Sequence, residues 1–249
     1  MKRWQRSYFL SGIVGLLLLA GAVGISTSTV TTRQGVNFQV STLEIPLYAK
    51  VLDFFHRHYQ YEALAKQITG GLSSDKERAL AVFDWTRRNI RRTPEGWTVV
   101  DDHVLNIIIR GHGLGDQMAD VFTTLSTYAG VPAFWRILTA PGSGKKLALS
   151  FTRVEGKWVV FDVKNGLTFR NEQGALASVE EIAADPRLVE RTAGPLRYHG
   201  IPYQRYFEGF MPPRVPGALR AEMQMPWPRL VFQGRRLLGA APASEETHP

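Results

Sequence analysis

The strongest constraint on the fold is one helix with the turn after it, G-D-Q-M-A-D-V-F-T-T-L-S-T-Y-A-G-V-P-A, Gly115 to Ala133. Met118, Val121, Phe122, Leu125 and Tyr128 recur at i, i+3, i+4 and i+7 spacing, which lines one face of a helix with apolar side chains. Gly130 suits a left-handed helix end and Pro132 forbids continuation. The texture then changes to strands. Ala133 to Thr139 is rich in β-formers, and Pro141-Gly142-Ser143-Gly144 reads as a turn. Leu147 to Val154 and Lys157 to Val163 flank Glu155-Gly156, a tight hairpin signal. Three strands after a group of helices predict an α+β fold, with a central helix packed on a small antiparallel sheet.

Upstream, Leu47, Val51, Phe54, Phe55, Tyr59, Leu64 and Ile68 predict a helix from Pro46 to Thr69, stopped by Gly70-Gly71. Ser74-x-x-Glu77 is a capping box opening a second helix that carries Leu80, Phe83, Trp85 and Ile90 toward a core. The run Arg87 to Arg92 reads as its last turn, with cations near the negative end of the helix dipole. Asp102 to Arg110 is a further apolar stretch ended by Gly111, and Ser178 to Val189 reads as one short capped helix. Pro202 to Pro228, rich in Pro, Arg and Tyr, is expected to wrap the domain surface. No internal repeat is visible.

Tyr8 to Ile25 is a run of 18 residues without charge. As a helix it rises about 27 Å, against a bilayer hydrocarbon core of ~30 Å. Lys2, Arg3 and Arg6 precede it and favour a cytoplasmic N-terminus. Ala20-Gly21-Ala22 also resembles a signal-peptide cleavage site, so two readings stand: an uncleaved anchor, which we favour, or a signal peptide. The expected organisation is a basic leader (1–7), a transmembrane anchor (8–25), a linker (26–42), a folded domain (43–190) and a Pro/Arg-rich extension (191–249). The protein would then be single-pass in the cell membrane, with its domain periplasmic or extracellular.

The 249 residues include no cysteine, which excludes disulfides, cysteine-ligated zinc and thiol catalysis. Six histidines remain, none in an H-E-x-x-H pair, so no metal or other cofactor is expected. The net charge of +8 comes from scattered residues, several in the tail (Arg214, Arg220, Arg229, Arg235, Arg236), and lacks the basic stripe of a nucleic-acid binder.

The order of these pieces resembles the transglutaminase-like (papain-like) superfamily. The resemblance runs from about Ser74 to Asp162, through Asp84-Trp85, G-L-G-D-Q-M-A-D-V-F-T-T-L, A-G-V-P-A and V-E-G-K-W-V-V-F-D. It implies a cysteine opening the central helix, where free N–H groups and the dipole stabilise a thiolate. It also implies a histidine base on the first hairpin strand and an aspartate on the next that orients it. Counting about fifteen positions back from Gly130 gives Gly115 at the cysteine position. Counting about nine back from Gly156 gives Leu147, with Lys146 and Ala148 beside it, at the histidine position. Asp162 keeps the family aspartate. The resemblance thus supplies a shape and removes the chemistry: a pseudoenzyme.

A second polar set clusters in sequence around the same helix: Asp101, Asp102, His103, His112, Asp116, Gln117 and Asp120. Asp116 and Gln117 suit a first helical turn on structural grounds alone. The sharper reading is a rebuilt acid–base site. Glycine at a helix start also lets backbone N–H groups approach an anion, and Trp97, Trp135 and Trp158 are candidates to line a groove or to fill the core. Two functions are therefore expected. One is a membrane-anchored, inactive binding or scaffolding module in the cell envelope, partnered with a peptide, peptidoglycan or polysaccharide machinery. The other is a divergent hydrolase or acyltransferase using Asp and His.

Overall fold

A computed structural model of the chain describes residues 2–101 and 103–239, with side chains for all of these except 2–11, 17, 18, 25 and 101. In chain order the helices and strands are α1 (Lys2–Thr27), β1 (Thr29–Val36), β2 (Gln39–Pro46), α2 (Leu47–Thr69), α3 (Asp75–Asn89), β3 (Arg91–Arg92), β4 (Val100–Asp101), α4 (Val104–Arg110), β5 (His112–Gly113) and α5 (Gly115–Tyr128). They continue as β6 (Ala133–Thr139), β7 (Lys146–Val154), β8 (Lys157–Asp162), β9 (Leu167–Thr168), α6 (Val179–Ala184), α7 (Arg187–Ala193), β10 (Arg197–Tyr198), β11 (Ile201–Pro202) and α8 (Pro226–Leu237). Two units separate: residues 1–56 with 100–102, and residues 57–99 with 103–249.

In the first unit, residues expected to form a linker make a β-hairpin instead. β1 and β2 pair antiparallel from Thr29↔Pro46 to Val36↔Gln39, and β4 adds to β1 at Gly35↔Asp101. The turn residues Asn37 and Phe38 both adopt positive φ, 49° and 65°, which is the geometry of a two-residue hairpin turn. Thr is polar in composition but β-branched in shape, so a Ser/Thr-rich segment builds a strand as readily as a linker. The proposed anchor, Tyr8 to Ile25, falls within α1, and several of its side chains lie outside the described residues. Among the described residues no helix is long and apolar enough to cross a membrane.

The second unit is α+β, built around α5 and the antiparallel sheet β6-β7-β8-β9. Every residue of α5 from Gln117 to Thr127 is buried, which the sequence permits because its hydroxyls turn inward on the helix. Thr123 Oγ1 donates to Ala119 O at 2.9 Å, and Thr127 Oγ1 to Thr123 O at 2.8 Å. The hairpin turn has the expected chemistry, with Glu155 and Gly156 at φ 50° and 81°. Strand alternation then separates two cores. Val154, Val159, Phe161 and Val163 pack with Phe83, Val121, Phe122 and Leu125. Leu147, Leu149, Phe151 and Val160 join the other cluster, with Ile182, Val189, Tyr203 and Phe207. The first core centres on Phe83, Phe122 and Phe161, whose ring centroids lie 5.1–6.0 Å apart.

Three further expectations are corrected. α3 ends at Asn89, and Ile90 leaves it extended, so Arg91 and Arg92 form β3 rather than a last helical turn. The Ser178 helix is two helices, because Pro186 lacks an N–H and the residue before it, Asp185, is held extended at φ −131°. The C-terminal extension is no separate wrapping: Tyr203, Tyr206, Phe207, Leu219 and Ala221 are core residues. Arg220 anchors the same segment through Nη2 to the buried carboxylate of Asp120 at 3.0 Å. Phe207→Ala is therefore expected to destabilise the protein by about 3–5 kcal/mol, whereas Met211→Ala at an exposed site changes stability by under ~0.5 kcal/mol. Urea unfolding followed by circular dichroism measures both.

Candidate functional site

The start of α5 is held from behind. Gln117 Oε1 accepts from the N–H of Leu114 at 3.0 Å and from Arg110 Nη2 at 3.1 Å, while Arg110 Nε donates to His112 O at 3.0 Å. Asp116 Oδ1 accepts from the N–H of Gln117 at 3.0 Å. These bonds satisfy free N–H groups of the first turn, the structural role open to Asp116 and Gln117 from their position alone. At Gly115 a Cβ would sit 2.9 Å from Lys164 Cδ and 3.7 Å from Tyr198 Oη. The side chain of Lys164 therefore lies across the place where a cysteine would project.

Leu147 is buried to 1% exposure in the second core. One step beyond the Ser150↔Phe161 pair, Leu149 comes opposite Asp162, and Leu147 is two residues further along the same strand face. An apolar side chain occupies that position, so Asp162 has no imidazole to orient. It binds other partners. Oδ1 accepts from Asn165 N at 2.9 Å, and Oδ2 accepts from Asn165 Nδ2 at 2.7 Å and Tyr203 Oη at 2.6 Å. Burial pushes the Asp162 carboxyl above its ordinary range, against the opposing pull of Asn165, Tyr203 and Lys164. Burial, with the nearby Asp162, likewise raises the Tyr203 phenol.

The Asp162–Asn165 turn projects Lys164. It is braced from α3, where Arg87 stacks 5.5 Å from the centroid of Phe83 and covers Gly166. Gly166 has φ +72°, and a Cβ there would run into the Arg87 guanidinium, so two independent constraints select glycine. Lys164 Nζ donates to Tyr198 Oη at 2.6 Å. Burial and Arg92 depress the Lys164 ammonium, partly offset by Asp162 and Asp116. Burial pushes the Tyr198 phenol up to about 12. Tyr198 is presented by the β10–β11 hairpin, whose turn residues His199 and Gly200 have φ 49° and 78°. Burial and the cations Lys164, Lys145 and Arg92 hold His199 below its usual value.

These groups line an open cavity of about 420 Å³ formed by Arg92, Met118, Lys164, Asn165, Arg197, Tyr198 and His199. Sequence reasoning named none of these residues as a site. The available signals were Lys164, two places after the family aspartate, and the Arg91-Arg92 pair, which had a plausible helical explanation.

Among the described residues, which leave out Asp102 and the Asp101 side chain, no group of three His, Cys, Asp or Glu could hold a metal ion. His112 Nδ1 lies 3.3 Å from Thr93 Oγ1, and its ring stands edge-on to Trp97 at 5.2 Å. Asp120 is taken up by Arg220 and by Trp135 Nε1 at 3.3 Å. His103 is the exposed residue preceding α4 and makes no side-chain cap bond. Asp101 belongs to β4 of the first unit with its side chain undescribed, and Asp102 lies outside the described residues. Of the three tryptophans, Trp158 packs 5.0 Å from Phe134 while Trp97 is 59% exposed.

Residues 62–163 match the model of the transglutaminase-like superfamily. Among solved structures it is similar to a candidate cysteine protease from Cytophaga hutchinsonii, at 16% identity over 47% of this chain and 40% of that one, with a TM-score of 0.37. A candidate protease from Parabacteroides distasonis is 13% identical over 55% of this chain and 36% of that one, with a TM-score of 0.35. A TGase is 13% identical over 59% and 46%, with a TM-score of 0.32. Each match spans less than half of the other protein's length. No curated protein matches the chain significantly in sequence.

The raised Asp162 carboxyl has a signed consequence. The folded state holds this proton more tightly than the unfolded state, so its contribution is complete at low pH and declines as pH rises through the raised folded value. The stability difference between wild type and Asp162→Asn is thus expected to favour wild type most in acid and to shrink as pH rises from about 4. Denaturant midpoints of both proteins across pH measure it; a difference growing with pH overturns the assignment.

Proposed function

We propose that this protein is a membrane-anchored, exported transglutaminase-like protein that binds a ligand or partner in the cell envelope and performs no thiol chemistry. The observation that carries this reading is the start of α5: Gly115 offers no nucleophile, Lys164 lies over it, and Leu147 is buried where a base would be. The retained cavity supports binding, and its candidate occupants are a peptide, a peptidoglycan strand or a component of polysaccharide assembly. The uncharged run Tyr8–Ile25 behind a basic leader supports the anchor. No observation gathers the Asp/His set into an acid–base site, so the hydrolase reading is not taken further.

The full chain in detergent micelles is expected to show no hydrolysis of peptide or isopeptide substrates and no amine incorporation. Turnover lost on His103→Ala or Asp116→Ala would overturn the non-catalytic reading. The combined variant Gly115→Cys, Leu147→His, Lys164→Ala is expected to gain thiol reactivity toward iodoacetamide well above that of an exposed cysteine. Lys164→Ala belongs in it because the new Cβ would otherwise press on that side chain.

The anchor is tested separately. In cells, the full chain is expected to stay in the membrane pellet after carbonate extraction, and a chain lacking residues 1–27 to leave it. A full chain released by carbonate would remove the anchor while leaving the site untouched.

A further inference from the structure

A second open cavity, of about 470 Å³, lies beside the first in the same unit and is lined by Arg88, Arg91, Arg92, Trp97, Arg110 and His112 among others. The two cavities share Arg92 as a wall. Together they bring five arginines and one lysine, with two histidines, and among the described residues no carboxylate lines either cavity. Arg88 reaches Asp84 only at 3.8 Å, at an exposed pair that contributes little. Arg91 and Arg92 make no ion pair among the described residues. Neighbouring cations such as Arg91 and Arg92 repel one another, and an anion relieves that repulsion.

We infer that the two cavities form one groove for an acidic polysaccharide chain, a polymer of pyranose rings bearing carboxylates. The inference rests on the binding-module reading and names the ligand class of that site. Three features select this chemistry. First, arginine guanidinium groups present planar forks that match carboxylates bidentately. Second, Trp97 is 59% exposed within the cationic set, its ring fixed against the edge of His112 at 5.2 Å and 84°. An exposed indole offers an apolar plane to the C–H face of a sugar ring, which neither a bare phosphate polymer nor an acidic peptide presents repeatedly. Third, the cations extend over two open cavities, which suits an elongated ligand over a single small anion. A single-stranded nucleic acid is matched less well, because its successive bases call for several exposed stacking aromatics, and among the described residues lining the two cavities Trp97 is exposed while Tyr198 is buried.

The test is isothermal titration calorimetry of the full chain in a zwitterionic detergent. The probes are oligogalacturonate, neutral maltohexaose, polyphosphate and single-stranded oligothymidylate. Oligogalacturonate is expected to bind most tightly of the four and maltohexaose not measurably. Arg92→Gln is expected to weaken oligogalacturonate about tenfold, one lost charge-assisted contact. Trp97→Ala is expected to weaken it similarly while leaving any polyphosphate binding unchanged, and Arg214→Gln, outside both cavities, to change nothing. Thermal unfolding by circular dichroism checks each variant; if Arg92→Gln does not fold, Arg91→Gln takes its place.

Equal binding of the neutral glycan, tighter binding of polyphosphate or oligothymidylate, or unchanged affinity in the Arg92 and Trp97 variants overturns the inference and leaves the non-catalytic reading standing. Shortening of the oligogalacturonate, read by chromatography after incubation, does the reverse: the groove holds its glycan and the non-catalytic reading falls.

Discussion

The site depends on a buried carboxylate held chiefly by hydrogen bonds. Asp162 lies at the end of β8 with 0% exposure and accepts hydrogen bonds from Asn165 and Tyr203, with Lys164 adding a weaker attraction. A charge in that position is expensive unless it is fully bonded, so the chain is obliged to deliver both donors. Asn165 comes from the turn after β8, and supplying it fixes where Lys164 emerges. Tyr203 comes from the C-terminal extension, and supplying it draws that segment into the second core. One residue thereby sets the path of the chain on both sides of the cavity. Its partners make it an organiser of structure.

Gly115 belongs to the same arrangement. Removing a side chain at the first turn of α5 does more than delete a nucleophile. It opens the volume through which Lys164 passes to reach Tyr198, since a Cβ would sit 2.9 Å from Lys164 Cδ. The glycine, the lysine and the tyrosine are therefore one steric solution, and Leu147 is packed in the second core.

Much of this fold was legible because local signals agreed with one another. The Ser74 capping box, the apolar face of α5 ended at Gly130 and Pro132, and the Glu155-Gly156 turn are short-range features whose geometry is set by adjacent residues. The misreadings arose where composition stood in for shape. Residues 26–42 were polar enough for a linker yet β-branched enough for a hairpin. Pro186 interrupts an otherwise helical pattern, and the aromatics of Tyr203 to Phe207 sit in a segment whose Pro, Arg and Tyr content reads as surface but which packs into the second core. The candidate site was legible only as an absence. Gly115, Leu147 and Asp162 were found by counting, whereas Lys164, Arg92, Tyr198 and His199 come from three separate parts of the chain and carry no motif. Their convergence is a property of tertiary structure, which periodicity cannot report.

The loss of a thiol also changes what the remaining charges require. In a thiol enzyme the helix start and its neighbouring cations are answered by the thiolate they stabilise. This chain has no cysteine to play that part. Asp116 is engaged at the first turn, Asp162 is committed to Asn165 and Tyr203, and Lys164 is left half-buried against a neutral phenol with Arg92 depressing it further. Burial and like charge act in the same direction on that ammonium, so an external anion entering the cavity would relieve both the repulsion and the missing solvation. A site in this state gains more from an anionic ligand than the same cations would in open solvent, where screening weakens each contact. The binding proposed for this cavity thus has one electrostatic origin, a half-buried ammonium that burial and Arg92 both disfavour.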